Sequence, residues 1–273
     1  MLQDKNVLLR IQAVATLYQR TGWYQRWSRD HELYGRPDPA ITSPFSFIAD
    51  RLRWGALGRY IWASRHVQGW TRREEAVALA LASYELPRDA VVVEVGSFLG
   101  CSAILLAGAR KLKGSGHVHC VDPFAATGDA FSVPIYQEIA KTVGMPLRRR
   151  FEQNLESAGL LDWVTVHQMT AVEAAARWSK PIDLLLLDGD QSREGANEAY
   201  LQWSQFLTRN GALVINASSE GPNEPGHDGL MRVIREHLRP PAYRGVRRVG
   251  GITLAIKETG YTMSIPASTQ VSA

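Results

Sequence analysis

The chain has 273 residues, with 31 Lys and Arg against 27 Asp and Glu, and 45% of its residues are hydrophobic. That length can bury one large α/β core with an added segment, and the ordinary composition excludes a low-complexity or fibrous chain. A net charge of +4 is too small for a dedicated nucleic-acid surface, and no apolar run reaches the ~18 residues of a membrane span.

Apolar residues at helical spacing (Val7, Leu8, Ile11, Val14, Leu17, Tyr18) predict an amphipathic helix over 5–28. Gly35, Pro37, Pro39 and Pro44 mark 29–45 as a loop, and a second helix is expected over about 47–66. Residues 1–85 carry 12 Lys and Arg and 8 Asp and Glu, whereas 86–273 carry 19 of each, so the excess charge is all N-terminal. Trp23, Trp27, Trp54, Trp62 and Trp70 also fall here. Residues 1–68 therefore read as a helical extension. Its rings pack on the main domain, on a second copy in a homodimer, or as a lid over a pocket. The start of the chain lacks the basic-then-apolar pattern of a signal peptide.

Thr71-Arg-Arg-Glu74 is a capping-box pattern ahead of an apolar helix. Alternation follows. Strands are expected at 90–95, 117–121, 163–167, 182–187, 212–216 and 252–256, with a strand-like stretch at 243–248. Helices are expected at about 99–112, 134–141, 146–158, 171–177, 192–208 and 227–238. This order predicts an α/β fold with a doubly wound, mostly parallel sheet. Arg148-Arg-Arg150 reads as a solvated helix face, an anionic ligand being the sharper alternative. Cys101 and Cys120 lie inside predicted core elements and read as buried free thiols, with a reducing cytoplasm as the default compartment. The tail 259–273 has no periodicity and is expected to fray.

The most informative segment is Val91-Val-Val-Glu-Val-Gly-Ser-Phe-Leu-Gly100, a β-branched run, two glycines and then a helical run. A strand, a tight turn and a helix start present backbone N–H groups to a polar ligand. His117-Val-His-Cys-Val-Asp122 ends the next apolar run with an acid placed for ribose hydroxyls. The G-x-G-x-x-G of a dinucleotide site and the Walker glycines and lysine are both missing. Glu94 ahead of the loop would repel a phosphate and suits a cationic ligand.

Glu94-Val-Gly-Ser-Phe-Leu-Gly100, Asp122-Pro-Phe and Asp188-Gly-Asp190 together resemble class I S-adenosylmethionine-dependent methyltransferases. Within them the resemblance is to small-molecule O-methyltransferases of the macrocin, rhamnosyl and cephalosporin-pathway type, over roughly residues 69–257. It implies a Rossmann-like, seven-stranded domain over 69–258 that binds S-adenosylmethionine. Gly96 and Gly100, with Ser97 and Phe98, would meet the methionine part, and Glu94 its ammonium. Asp122 would hold the ribose, and Thr170 or Ala171 the adenine. Phe98 or Phe124 stacks on that ring or is simply core.

Asp188 stands where relatives bind Mg²⁺ or the cofactor amine. Two departures weaken the metal. Ala217 replaces an expected aspartate, and Asp188-Gly-Asp-Gln191-Ser-Arg193 lacks the histidine of the Asp-Gly-x-His-x-Tyr pattern. Mg²⁺ is therefore less expected than not. Three accounts stay open: a metal-free enzyme with another base, a site rebuilt from Glu220, Asp190 or His227-Asp228, or cofactor binding without catalysis. Oxygen methylation must remove a hydroxyl proton, and His227 in a Gly/Pro-rich loop is the candidate base, with Asp188 and Asp190 beside it. The plainer reading is a helix-capping Asp228 with an exposed His227. The other histidines show no metal spacing. The function that follows is methyl transfer to a small-molecule hydroxyl, of a sugar or natural product. A degenerate cofactor-binding protein and a nucleic-acid methyltransferase are the alternatives. Against the latter stand the low charge and the missing Asn/Asp-Pro-Pro-Tyr/Phe signature.

Overall fold

A computed structural model describes residues 34–37, 42–71, 73–217 and 226–258. The helix expected over 5–28, most of the 29–45 loop, Arg72 of the capping pattern, Glu220 and the 259–273 tail lie outside the described residues.

Seven strands form one sheet: β1 (Val91–Val95), β2 (His117–Val121), β3 (Val164–His167), β4 (Ile182–Leu187), β5 (Leu207–Asn216), β6 (Tyr243–Val249) and β7 (Ile252–Lys257). Their order is β3-β2-β1-β4-β5-β7-β6. The neighbours from β3 to β5 pair in parallel, and β7 enters antiparallel between β5 and the outermost β6. The doubly wound, mostly parallel, Rossmann-like architecture is the one expected. Chain order reverses between β1 and β4, which makes their carboxyl ends the natural ligand crevice.

Strand parity builds the two halves of the core. Val92, Leu184 and Leu186 face one layer with α3 (Arg73–Tyr84), α4 (Cys101–Lys113) and α6 (Leu147–Ser157). Val93, Leu185 and Leu187 face the other with α7 (Ala171–Ala176), α8 (Arg193–Ser204) and α9 (Gly229–His237). A strand buried on both faces needs an unbroken apolar run, which is what β4 has. Helix α5 (Ser132–Val143) follows the loop after β2.

Three expectations change. The single helix over 47–66 is two, α1 (Pro44–Trp54) and α2 (Gly58–Ser64), split by a 3₁₀ turn at Gly55–Leu57. Gly55 takes φ +56° there, outside the helical region. The helix expected over 192–208 stops at Ser204, because the main chain pairs with β4 already at Ile182 and Leu207. A bulge then carries β5 past Asn210, at φ +64°. Helix α9 begins at Gly229 rather than at His227.

Tyr60 and Ile61 of α2 are buried in the layer shared with α4, and the Cys101 thiol donates to the Ser64 carbonyl (3.3 Å). Both cysteines are free and buried, as expected, and burial pushes the Cys101 thiol up to about 12. Arg148 is tied to Glu152 and Gln168 on the surface of α6. Among the described residues no helix is long and apolar enough to cross a membrane.

Candidate cofactor and acceptor site

The carboxyl ends of β1 and β4 meet through main chain. Gly96 N–H donates to the Val121 carbonyl (2.9 Å), and Asp188 N–H donates to the Val95 carbonyl (2.8 Å). A Cβ on Gly96 would lie 2.3 Å from the Asp188 carbonyl oxygen, and its φ is +92°. Only glycine fits both the approach and the conformation.

The loop after Gly96 is stapled by Asp122. Its Oδ2 accepts the Ser97 and Phe98 N–H groups (3.0 and 2.8 Å), and its Oδ1 accepts that of Phe124 (2.6 Å). Burial raises the Asp122 carboxyl, and these three amides work against that. Phe98, Phe124 and Ala126 all adopt positive φ (+45°, +53°, +52°) at this corner. Non-glycine residues in that region store strain, which concentrates at ligand sites.

A cavity of about 380 Å³ opens beside this corner. Of the expected residues it is lined by Gly96, Phe98, Asp122, Thr170, Ala171, Asp188 and Asp190, and Phe124 joins them. Glu94, Ser97, Gly100 and His227 lie behind the wall. Glu94 is fully buried on the α4 side of the sheet, since it shares the parity of Val92. Burial raises its carboxyl, opposed by Ser102, Ser97 and the Cys120 thiol, which donates to Oε2 (3.3 Å). Thr170 caps α7: its hydroxyl accepts the Glu173 N–H (3.2 Å), and Glu173 Oε2 accepts the Thr170 N–H (2.9 Å). Ala171, as a first-turn amide, has no partner within its helix.

The polar wall is acidic. Asp122, Asp129, Asp188, Asp190 and Glu198 line the cavity, and among the described residues no Lys, Arg or His does. Burial lifts Asp188 well above the usual carboxylate range. Glu94, Glu75 and Asp122 add to the rise, and the Asn216 amide, donating to Oδ2 (3.0 Å), opposes it. Tyr136 closes one side, with its ring 5.3 Å from Phe98 and 5.7 Å from Trp70.

This donor set does not fit Mg²⁺. Asp188 faces an amide donor, and Ala217 has no side-chain oxygen. Among the described residues no three His, Cys, Asp or Glu group as metal ligands. The His227-Asp228 alternative also separates. Asp228 is held by Arg193 (2.8 Å) and Arg232 (3.0 Å), which keep it down to about 2. It makes no side-chain cap to α9. His227 is buried rather than exposed, and turns the other way.

What it meets is Asp129, a residue that sequence reasoning missed. His227 Nδ1 lies 2.9 Å from Asp129 Oδ1, and the two side chains are 5% and 3% exposed. The same oxygen accepts the Phe131 and Ser132 N–H groups (both 3.1 Å). Burial would raise Asp129, but hydrogen bonds from His227 and Ser132 bring it down to about 2. Its sequence signal, an Asp three residues before Ser132, reads only as a helix-start turn.

Residues 93–217 match the family described as methyltransferase domain. That span runs from β1 to just past β5 and contains the Gly96, Asp122 and Asp188 corner. The match agrees with the methyltransferase resemblance carried by the sequence motifs. The chain is 30% identical to catechol O-methyltransferase of Mycobacterium tuberculosis (strain ATCC 25618 / H37Rv) over 147 residues, 52% of this chain and 64% of that one. It therefore spans just under two thirds of that relative's length. Two solved structures share the fold. One is the O-methyltransferase TomG of Streptomyces achromogenes, involved in tomaymycin synthesis and solved with S-adenosylmethionine. Its TM-score is 0.52 at 18% identity, covering 75% of this chain and 90% of that one. The other is a candidate O-methyltransferase from Klebsiella pneumoniae, with TM-score 0.50 at 15% identity and the same coverages.

Proposed function

We propose that this chain transfers the methyl group of S-adenosylmethionine to a hydroxyl of a small-molecule acceptor, a sugar or other natural product, without a metal. The observation that carries this reading is the acidic cavity at the β1–β4 switch point. Its wall suits a cationic, phosphate-free adenosine derivative and repels a nucleic-acid backbone or a phosphorylated acceptor. Gly96 would let backbone approach the methionine part, Asp122 would keep its remaining lone pairs for the ribose, and the Ala171 N–H would face the adenine. Asp188 would receive the ammonium. When bound, the cofactor supplies a methyl group whose C–S bond breaks, leaving its electron pair on sulfur, as the new C–O bond forms. The chain's task is then to orient the acceptor and take its hydroxyl proton, and His227 is the candidate for that step. Residues 69–258 would form the cytoplasmic catalytic domain, and 1–68 a lid or a homodimer face.

Calorimetry tests the reading. S-adenosylhomocysteine should bind at micromolar concentration and NAD should not. Catechol, the acceptor in the relative's name, is the first acceptor to try with S-adenosylmethionine, followed by neutral sugars, with methylated product read by mass. EDTA should leave turnover unchanged. Binding of NAD in preference, or turnover abolished by chelation and restored by Mg²⁺, would overturn the corresponding part.

A further inference from the structure

Helix α1 has two apolar faces, and one of them is packed. Inward, the Phe47 ring meets the Trp62 ring of α2 edge to face at 5.1 Å, and the Trp62 indole N–H donates to the Ser43 carbonyl (3.2 Å). Asp50, the one acid of the helix, is buried against Arg65 (2.6 Å). Outward stand Phe45 and Leu52, each 83% exposed, and Ile48, 55% exposed. Among the described residues no other large hydrophobic side chain passes 41%. At about 100° per residue these three fall within roughly 60° of one another, so they make a single stripe. Arg51 and Arg53 flank Leu52 in the chain and therefore stand about 100° to either side of it. From Thr42 to His66 there are four arginines and one acid. The Asp50–Arg65 pair cancels inside, which leaves Arg51, Arg53 and Arg59 on the outer surface. Arg51 and Arg59 also line a hollow of about 540 Å³ with Phe47, Tyr60, Trp62 and Leu112, and among the described residues no carboxylate lines it.

We propose that α1 rests on an anionic lipid surface, with Phe45, Ile48 and Leu52 at the boundary of headgroups and acyl chains and Arg51, Arg53 and Arg59 on the phosphates. Single surface hydrophobics are ordinary, but a contiguous row rimmed by charge marks a contact. An apolar stripe edged by arginines is the pattern of a helix that lies in the membrane interface rather than crossing it. Charge decides the occupant. A twofold contact of this face with itself would set arginines against arginines, and like charges oppose docking. A nucleic acid would meet the arginines through its phosphates and leave the apolar stripe between them without a partner. Anionic lipid satisfies both parts, since its chains take the stripe and its phosphates take the guanidiniums. No residue of α1 or α2 lines the cofactor cavity, so lipid docking and cofactor binding are separable.

The test is co-sedimentation of the full chain with vesicles of phosphatidylcholine alone and of phosphatidylcholine mixed with phosphatidylglycerol. The chain should bind the mixed vesicles at least about tenfold more tightly than the neutral ones, and raised salt should release it. Phe45→Ser with Leu52→Ser should weaken binding to the mixed vesicles by roughly tenfold or more. Arg51→Gln with Arg53→Gln should weaken it by roughly 10–30-fold, from about fivefold per arginine. All four side chains are exposed, so thermal unfolding of these variants should match wild type; Leu52→Ser alone replaces the double variant should that one fail to fold. No binding to the mixed vesicles, equal binding to both kinds, or binding untouched by the substitutions overturns the proposal. So does a lipid-free wild-type dimer that Phe45→Ser with Leu52→Ser turns into a monomer, because a second copy then covers the stripe. Failure here leaves the methyl-transfer reading intact, and a chain that ignores S-adenosylhomocysteine but sediments as expected overturns that reading alone.

Discussion

The β1–β4 seam and the Asp129–His227 junction support one cavity by opposite means, the junction with only its carboxylate in the wall. The seam is main chain against main chain, with Gly96 seated on the Asp188 carbonyl and its hydrogen bonds made between neighbouring strands. The junction is one side chain on another, joining two loops that share no strand. The backbone of the seam tolerates no added atom, and its titratable side chain is Asp188 at the end of β4. A junction of side chains tolerates changes of size and carries the titratable chemistry. Substitutions at the junction should therefore act on turnover, and those at the seam on stability and cofactor binding.

The largest effect is expected at the junction. His227→Ala should lower turnover, on an acceptor that wild type methylates, by roughly 10²–10⁴-fold, about 3–5 kcal/mol of barrier. Steady-state kinetics with S-adenosylhomocysteine calorimetry on the same sample reads both sides of the comparison. A fall confined to cofactor affinity would move His227 into the seam's category. Next comes Gly96→Ala, which adds a Cβ 2.3 Å from backbone oxygen at a positive φ. About 2–4 kcal/mol of unfolding free energy should be lost, from strain and overpacking together. Denaturant unfolding that shows less than about 1 kcal/mol would mean the strand ends can part.

Asp122→Ala should be milder. It leaves the Ser97, Phe98 and Phe124 amides without their acceptor, so the loop loosens and adenosylhomocysteine binding weakens by roughly 1–3 kcal/mol. An unchanged dissociation constant would remove Asp122 from the ribose side and leave it a structural staple.

The difference between the regions also decides what could be read from the amino acids. Parallel strands with crossovers announce themselves through Val91–Val95 and Ile182–Leu187, and the Gly96 turn between strand and helix is local, so fold and seam were both legible. Glu94 shows where a local motif runs out. Its residue type suits an ammonium at the rim, but period-two parity turns it with Val92 under α4, away from the cavity. Asp129 was invisible for the converse reason. Nothing within ten residues of it hints at His227, because their contact exists only once β2 and the segment before α9 converge on the same sheet edge. The early start of β5 at Leu207 was likewise settled by tertiary pairing against helical propensity, whereas the split at Gly55 goes with that glycine's positive φ.

The smallest effect probes the seam's one titratable group. Asp188 is lifted well above the ordinary carboxylate range by burial among other acids, so it holds a proton that a free aspartate would have lost. An ammonium arriving beside it favours the ionised form. Binding of S-adenosylhomocysteine, which has that ammonium, should therefore release a proton. Affinity should rise with pH, by no more than about tenfold per unit, until Asp188 is ionised without ligand, and then level off. Calorimetry at one pH in buffers of different ionisation enthalpy measures the protons released. Asp188→Asn should abolish the release. Asn216→Ala, by removing the amide that favours the carboxylate, should extend it to higher pH. Proton uptake on binding, or equal heats in all buffers, would show that the ammonium lies elsewhere and that the acidic wall faces the acceptor instead.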